Sequence, residues 1–257
     1  MRLSLAAVSL VLTLGALAAA DAPYAGKWKM NSAKSDFGSI TVAFAQLPSG
    51  EMQFTVDGQS YKFKVDGKDY PDPFGQTSAW TAIDATSWKS VNKLNGKVVS
   101  TDTLKLSADG KSLSVETTGT KPNGDKMDDK TTYARVAGTE GLAGKWKTRN
   151  FSSSGPDVFE LITTAGNGLT YKSATENMSC EAKLDGKDYP CTGPTVPPGW
   201  TVAYSKTSAG DLEATLKHDG KPMYKYTYKV SADGKSMVAT GGATATTELV
   251  KMVYDRQ

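Results

Sequence analysis

The chain says nearly the same thing twice, and this duplication constrains its fold more than any other feature. Gly26-Lys27-Trp28-Lys29 returns as Gly144-Lys145-Trp146-Lys147, and Asp66-Gly67-Lys68-Asp69-Tyr70-Pro71 as Asp185-Gly186-Lys187-Asp188-Tyr189-Pro190. Ala108-Asp109-Gly110-Lys111-Ser112 returns as Ala232-Asp233-Gly234-Lys235-Ser236, and Tyr133-Ala134-Arg135 as Tyr254-Asp255-Arg256. The offsets are 118, 119, 124 and 121 residues, in the same order along the chain. Colinear matches at so long a shift mark a duplicated domain and not a solenoid repeat of about 20–50 residues.

The first twenty residues read as a signal peptide. Arg2 supplies a positive start, Leu3 to Leu17 an apolar stretch, and Ala18-Ala19-Ala20 a small-residue cleavage site before Asp21. The expected product is secreted or periplasmic, with no integral membrane span after cleavage. The remaining residues suffice for two domains with cores of their own, expected at 21-138 and 139-257. The chain carries 30 Lys and Arg against 27 Asp and Glu, and its lysines are scattered singly. That pattern suits solvated strand faces and argues against a nucleic-acid partner. Cys180 and Cys191 are the only cysteines. In an exported chain they are expected to form a structural disulfide.

The local grammar is that of hairpins. Asn-Gly or Asp-Gly pairs stand at 57-58, 66-67, 95-96, 109-110 and 123-124 in the first copy. They recur at 167-168, 185-186, 219-220 and 233-234 in the second. Such pairs favour two-residue type I′ turns, where both central residues need positive φ. Short alternating runs such as Tyr61-Lys62-Phe63-Lys64-Val65 lie between them, and no long stretch beyond the leader has a helical period. A two-residue loop at Asp185-Gly186 puts Cys180 opposite Cys191 and Lys183 opposite Asp188, an independent check on the turn. The same rule in the first copy sets Lys64 against Asp69 and Phe63 against Tyr70, with the tyrosines facing inward. Around 109-110 and 233-234 it sets Leu106 against Leu113, Leu104 against Val115, and Val230 against Met237. Each copy is thus expected to be an all-β, antiparallel up-and-down barrel, closure removing the exposed edges.

Each copy opens with Gly-x-Trp and ends with Tyr-x-Arg. In this the chain resembles the calycin superfamily, which holds the lipocalins and the fatty-acid-binding proteins, and in particular lipocalin-like domains of exported bacterial proteins. The resemblance spans both copies and implies two tandem barrels. It also implies that Arg135 covers Trp28 and Arg256 covers Trp146, a cation–π closure of each floor. Fatty-acid-binding proteins commonly hold the ligand carboxylate with an arginine two residues before the last-strand tyrosine. Thr131 and Met252 stand there instead, so a fatty acid would need another anchor.

No enzymatic motif emerges. There is one histidine, His218, read as a surface loop residue before the 219-220 turn. There is no Gly-x-Ser-x-Gly elbow, no phosphate loop and no metal spacing; Asp66, Asp69 and Asp72 are read as turn residues and not as calcium ligands. Asn150-Phe151-Ser152 and Asn177-Met178-Ser179 match the glycosylation pattern, which carries no weight in a bacterial host. No catalytic residue and no cofactor is expected. The candidate ligand-contacting residues are Phe54, Tyr61, Phe63, Tyr70 and Trp80 in the first copy. In the second they are Tyr189, Trp200 and Tyr204, with Tyr171, Tyr224 and Tyr226 as further aromatics. The expectation is therefore an exported, non-catalytic binding protein whose barrels hold a small apolar molecule. The alternative is a structural or protein-interaction module with filled barrels and a partner that the sequence does not specify. Because the linker near 137–141 is short, the barrels are expected to touch, and each half to fold alone.

Overall fold

A computed structural model describes residues 22–37, 40–154, 158–194 and 196–257; the expected leader at 1–20 lies outside the described residues. The strands of the first half are β1 (Gly26–Met30), β2 (Thr41–Gln46), β3 (Met52–Val56), β4 (Gln59–Phe63), β5 (Asp69–Pro71), β6 (Thr77–Ala82), β7 (Ser87–Leu94), β8 (Lys97–Leu106), β9 (Ser112–Thr120) and β10 (Lys126–Ala137). Those of the second are β11 (Gly144–Ser152), β12 (Val158–Thr164), β13 (Gly168–Ser173), β14 (Met178–Lys183), β15 (Tyr189–Thr192), β16 (Trp200–Lys206), β17 (Leu212–His218), β18 (Lys221–Val230), β19 (Ser236–Ala243) and β20 (Val250–Arg256). A single 3-10 turn at Ser32–Lys34 is the one helical element among the described residues. The protein is all-β, as the turn spacing predicts.

Two ten-stranded antiparallel sheets result. Barrel 2 closes fully, in the order β1, then β12 through β20. Barrel 1 runs β4-β3-β2-β11-β10-β9-β8-β7-β6-β5, and its end strands β4 and β5 meet without a hydrogen-bonded ladder. The expected Phe63–Tyr70 pairing across that seam does not form.

The sheets do not follow the expected division at 138/139. β1 pairs with β12 and β20, whereas β11 pairs with β10 and β2. Each barrel takes its first strand from the other copy. The covering arginines are exchanged accordingly, which corrects the expected pairing. Arg256 lies over Trp28, its Cζ 4.2 Å from the ring centroid, and Arg135 over Trp146 at 4.1 Å. The physical reason is the linker. Only six residues separate β10 from β11, so they close a local antiparallel hairpin that sets Arg135 opposite Trp146. That hairpin fills the place of a first strand in barrel 1 and leaves β1 to complete barrel 2.

Both floors are built alike. Trp28 and Trp146 are fully buried, their indole N–H groups donating to Tyr24 O at 2.9 Å and Leu142 O at 3.0 Å. Arg256 donates to the carbonyls of Gly234, Ala25 and Pro23; Arg135 donates to those of Gly110, Ala143 and Gly141. The glycine of each Gly-x-Trp has a positive φ, and a Cβ on Gly26 or Gly144 would run into the guanidinium that covers the tryptophan. The motif is therefore one mechanical unit.

The hairpin registers agree with the sequence reading in the closed regions. Cys180 faces Cys191, Leu106 faces Leu113, Leu104 faces Val115, and Val230 faces Met237. The Cys180–Cys191 disulfide is formed, with Cα atoms 4.3 Å apart. The turn chemistry is more varied than expected. Both residues have positive φ at 57-58, 95-96 and 219-220, whereas at 66-67, 109-110, 123-124, 185-186 and 233-234 only the glycine does. In the latter group the aspartates at 66, 109, 185 and 233 accept the backbone N–H two residues on, turning the chain by side-chain capping. At 167-168 the left-handed pair is Gly166-Asn167, one residue earlier.

The expected Lys64–Asp69 and Lys183–Asp188 pairs are also corrected. Asp69 pairs with Lys93 at 2.8 Å and Asp188 with Lys217 at 2.6 Å. Both lysines reach across from the strand two places beyond, because β5 and β15 hold their registers with β6 and β16 there.

The barrels meet at the strand ends remote from the tryptophan floors. Trp200 Nε1 donates to Phe74 O at 3.3 Å, and His218 Nδ1 lies 3.1 Å from Pro73 O. The Tyr224 hydroxyl donates to Asp57 Oδ2 at 3.0 Å, and the Thr41 hydroxyl to Glu248 Oε1 at 2.6 Å. His218 also stacks on Trp200 with ring centroids 5.3 Å apart. It is thus a junction residue and not the surface residue the turn position implied. The two crossover segments touch through Phe37 and Phe151, centroids 5.0 Å apart.

Candidate binding cavity in barrel 1

Barrel 1 holds a partly open cavity of about 350 Å3, at the small end of the roughly 300–1,000 Å3 range of ligand pockets. Its two sides differ in chemistry. Val42, Phe44, Phe54, Leu104, Leu113 and Val115 form an apolar wall, and Ser78, Ser90, Asn92, Asp102, Thr117 and Thr131 a polar one. Strand alternation explains the polar wall: Ser78, Asn92 and Ser100 are cross-strand neighbours, as are Ser90, Asp102 and Thr117. All six point to one face of the sheet.

These groups form one network. Asp102 accepts from the Thr117 hydroxyl at 2.6 Å and from Asn92 Nδ2 at 2.7 Å. Asn92 Oδ1 accepts from the hydroxyls of Ser78 at 2.8 Å and Ser90 at 3.1 Å, and its Nδ2 also donates to Ser100 Oγ at 3.0 Å. Enclosure raises the Asp102 carboxyl above the ordinary aspartate range, the bonds from Thr117 and Asn92 opposing the shift only in part. At the seam, Tyr61 OH accepts from Trp80 Nε1 at 3.1 Å, and burial raises its phenol. Asp72 holds the loop beyond β5, its Oδ1 accepting from the N–H groups of Phe74 and Gln76 at 2.9 Å.

The second copy answers each of these residues with a different one. Matching registers strand by strand, Ser78, Ser90 and Asn92 correspond to Val202, Ala214 and Leu216; Ser100, Asp102 and Thr117 correspond to Tyr224, Tyr226 and Gly241. Tyrosines and apolar residues stand at these inward positions. Tyr228 is partly buried against the barrel 2 core, its phenol raised well above normal by desolvation and by the neighbouring Tyr254, Tyr204, Tyr171 and Tyr226. Gly241 makes this possible, since a Cβ there would collide with the backbone and ring of Tyr226. The seam differs too. Cys180 and Cys191 occupy the positions of Tyr61 and Asp72, so a covalent bond closes in barrel 2 what barrel 1 leaves unladdered.

The sequence-predicted contact residues divide accordingly. Phe54, Tyr61 and Trp80 line the cavity. Phe63 is fully buried, stacked under Trp80 with centroids 4.5 Å apart, and supports the wall from behind. Tyr70 and Tyr189 sit at the barrel ends, their hydroxyls donating to Asp66 and Asp185 at 3.1 Å in both copies. Tyr204 is core of barrel 2, and Trp200 belongs to the junction. Sequence reasoning passed over Ser78, Ser90, Asn92, Asp102 and Thr117. Aligning the copies in register would have flagged them as polar residues at inward positions whose counterparts are apolar, aromatic or glycine.

No protein-family model, curated protein or solved structure matches this chain. Its chemistry has to be read from the cavity itself. Among the described residues no three His, Cys, Asp or Glu side chains gather to hold a metal ion, and no helix is long and apolar enough to cross a membrane.

Proposed function

We propose that this chain is an exported, non-catalytic binding protein of calycin-like design in which barrel 1 holds a small molecule and barrel 2 is its filled structural companion. The observation that carries this reading is the contrast at equivalent positions: barrel 1 keeps a cavity with a polar cluster where barrel 2 places tyrosines. A polar network inside a barrel is costly unless it is satisfied or used, and at the same positions barrel 2 carries Val202, Ala214, Leu216 and Tyr226. The up-and-down strand order and the paired Trp–Arg floors support the calycin-like assignment. The disulfide supports an oxidising compartment, as does the leader-like sequence at 1–20.

A fluorescence titration with the neutral probe N-phenyl-1-naphthylamine tests the reading on the whole protein. Saturable uptake of one probe per chain is expected. A variant carrying the barrel 2 residues at the cavity (Ser90→Ala, Asn92→Leu, Asp102→Tyr, Thr117→Gly) should lose it while remaining folded by circular dichroism. No saturable uptake by the natural protein, or undiminished uptake by the folded filled variant, would remove barrel 1 as the site.

A further inference from the structure

We propose that the molecule barrel 1 accepts is a small organic cation, an ammonium group seated against Asp102 with its hydrocarbon body on the apolar wall. This rests on the reading of barrel 1 as a binding cavity and adds the chemical class of the ligand.

Charge comes first. The only ionisable acids and bases lining the cavity, phenols aside, are Asp72 and Asp102, and both are acids. Where a carboxylate-binding barrel would set an arginine, Thr131 lines the wall. A fatty acid would bring a third carboxylate beside Asp72 and Asp102 with no guanidinium to meet it, a like-charge arrangement that an interior penalises. An ammonium reverses the sign of that interaction.

Hydrogen-bond polarity gives the second line of argument. Each serine or threonine hydroxyl has one proton to donate. Ser78 and Ser90 donate theirs to Asn92 Oδ1, and Thr117 donates its own to Asp102. The two Asn92 N–H groups are taken by Ser100 and Asp102. These protons all point into the network, and at Asp102 unfilled lone pairs are what remain for the cavity. Asp102 itself receives one neutral donor on each oxygen, about half of what a carboxylate accepts. Such a surface is complementary to a donor-rich group, and an ammonium carries three donors and a positive charge. The raised carboxyl of Asp102 fits the same picture, since no protein cation offsets its burial.

The test is calorimetric titration of the full chain with three ligands that share one ring: 2-phenylethylammonium, 2-phenylethanol and phenylacetate. The ammonium should bind at least about tenfold more tightly than the alcohol, as a charge-assisted contact implies, and phenylacetate most weakly. Asp102→Asn should bring the ammonium to within about threefold of the alcohol and leave alcohol binding intact. Should that variant fail to fold, the natural protein gives a second reading. Ammonium affinity should fall as pH drops through the raised carboxyl range of Asp102, while alcohol affinity stays level. The groups facing Asp102 from neighbouring elements are Tyr61, Tyr133 and Asp72. Asp72 is the one other carboxyl among them, so Asp72→Asn serves as the control and should keep the pH dependence. Equal or tighter binding of the alcohol or of phenylacetate, or a level pH profile for the ammonium, would overturn the cation assignment and leave the binding cavity standing. Absence of binding by all three, together with no uptake of the neutral probe, would overturn the binding reading itself.

Discussion

Barrels 1 and 2 share strand number, floor construction and turn chemistry, yet they treat their interiors in opposite ways. Barrel 2 packs tyrosines against Ala214, Ala239 and Gly241 and closes its seam with a disulfide. Barrel 1 carries a satisfied polar network around open space, and its seam is unlaced. The floors are the same because each is a local unit of Trp, Arg and lead-in carbonyls that either copy can complete. The interiors differ because alternation fixes only which side chains point inward and not what they must be. A duplicated scaffold can therefore vary its lining while its mechanics stay constant.

The largest expected effect bears on the exchange of first strands. Trp28→Ala should cost about 3–5 kcal/mol by emptying a fully buried site. The loss should fall on barrel 2, although Trp28 lies in the first copy. Hydrogen exchange followed by mass spectrometry should show protection lost in β12–β20 and retained in β3–β9; the reverse pattern would mean that the strands are not exchanged. For the same reason, cutting the chain near Gly138 should leave each half without the first strand its barrel uses. The halves should then associate or rearrange instead of behaving as stable monomers in ultracentrifugation, contrary to the expectation from sequence.

Next in size is the seam. Opening the Cys180–Cys191 loop by Cys180→Ala with Cys191→Ala should lower stability by about 3 kcal/mol or less, following the loop-closure estimate for a short ring. Denaturant midpoints should fall, with the change confined to barrel 2 signals. Equal loss in barrel 1 would show that the barrels unfold as one unit.

A smaller, pH-dependent effect is expected at Asp102. Its carboxyl is raised in the folded protein, so the folded state binds the proton more tightly than the unfolded chain does. Its ionised form is thus the destabilising one. Stability from this group is present below the unfolded carboxylate value of about 3.9 and declines as pH rises to the raised folded value. Asp102→Asn should gain stability relative to the natural protein as pH rises through that window and level off above it. A widening gap as pH falls would give the wrong sign and contradict the enclosure of Asp102. The smallest effect belongs to the Lys93–Asp69 and Lys217–Asp188 pairs. Lys93→Ala and Lys217→Ala should each cost only a few tenths of a kcal/mol in chemical denaturation, and about the same in both copies.

Much of the scaffold was legible because hairpin registers obey arithmetic. Once the 185-186 turn is set, Cys180 must meet Cys191, and the leucine pairs around 109-110 follow in the same way. The exchange of β1 and β11 was not legible from the motifs, because Gly-x-Trp and Tyr-x-Arg satisfy each other in either pairing. Only the shortness of the connection after Ala137 discriminates, and it was read for proximity and not for hairpin formation. The cavity was half legible. Phe54, Tyr61 and Trp80 emerged from aromatic alternation, but Ser78, Ser90, Asn92 and Asp102 resemble solvated strand residues until the sheet face is known. Trp200 and His218 escaped because the end of a strand looks the same in sequence whether it meets solvent or another barrel.

The most direct measurement is methyl-resolved NMR of the intact chain during titration with 2-phenylethylammonium. Saturable shifts confined to the methyl groups of Val42, Leu104, Leu113 and Val115, with those of Leu161, Leu169 and Met237 unmoved, are the expected result. Shifts centred on the barrel 2 methyls, or spread equally over both sets, would contradict the division of the molecule into a hollow barrel and a filled one.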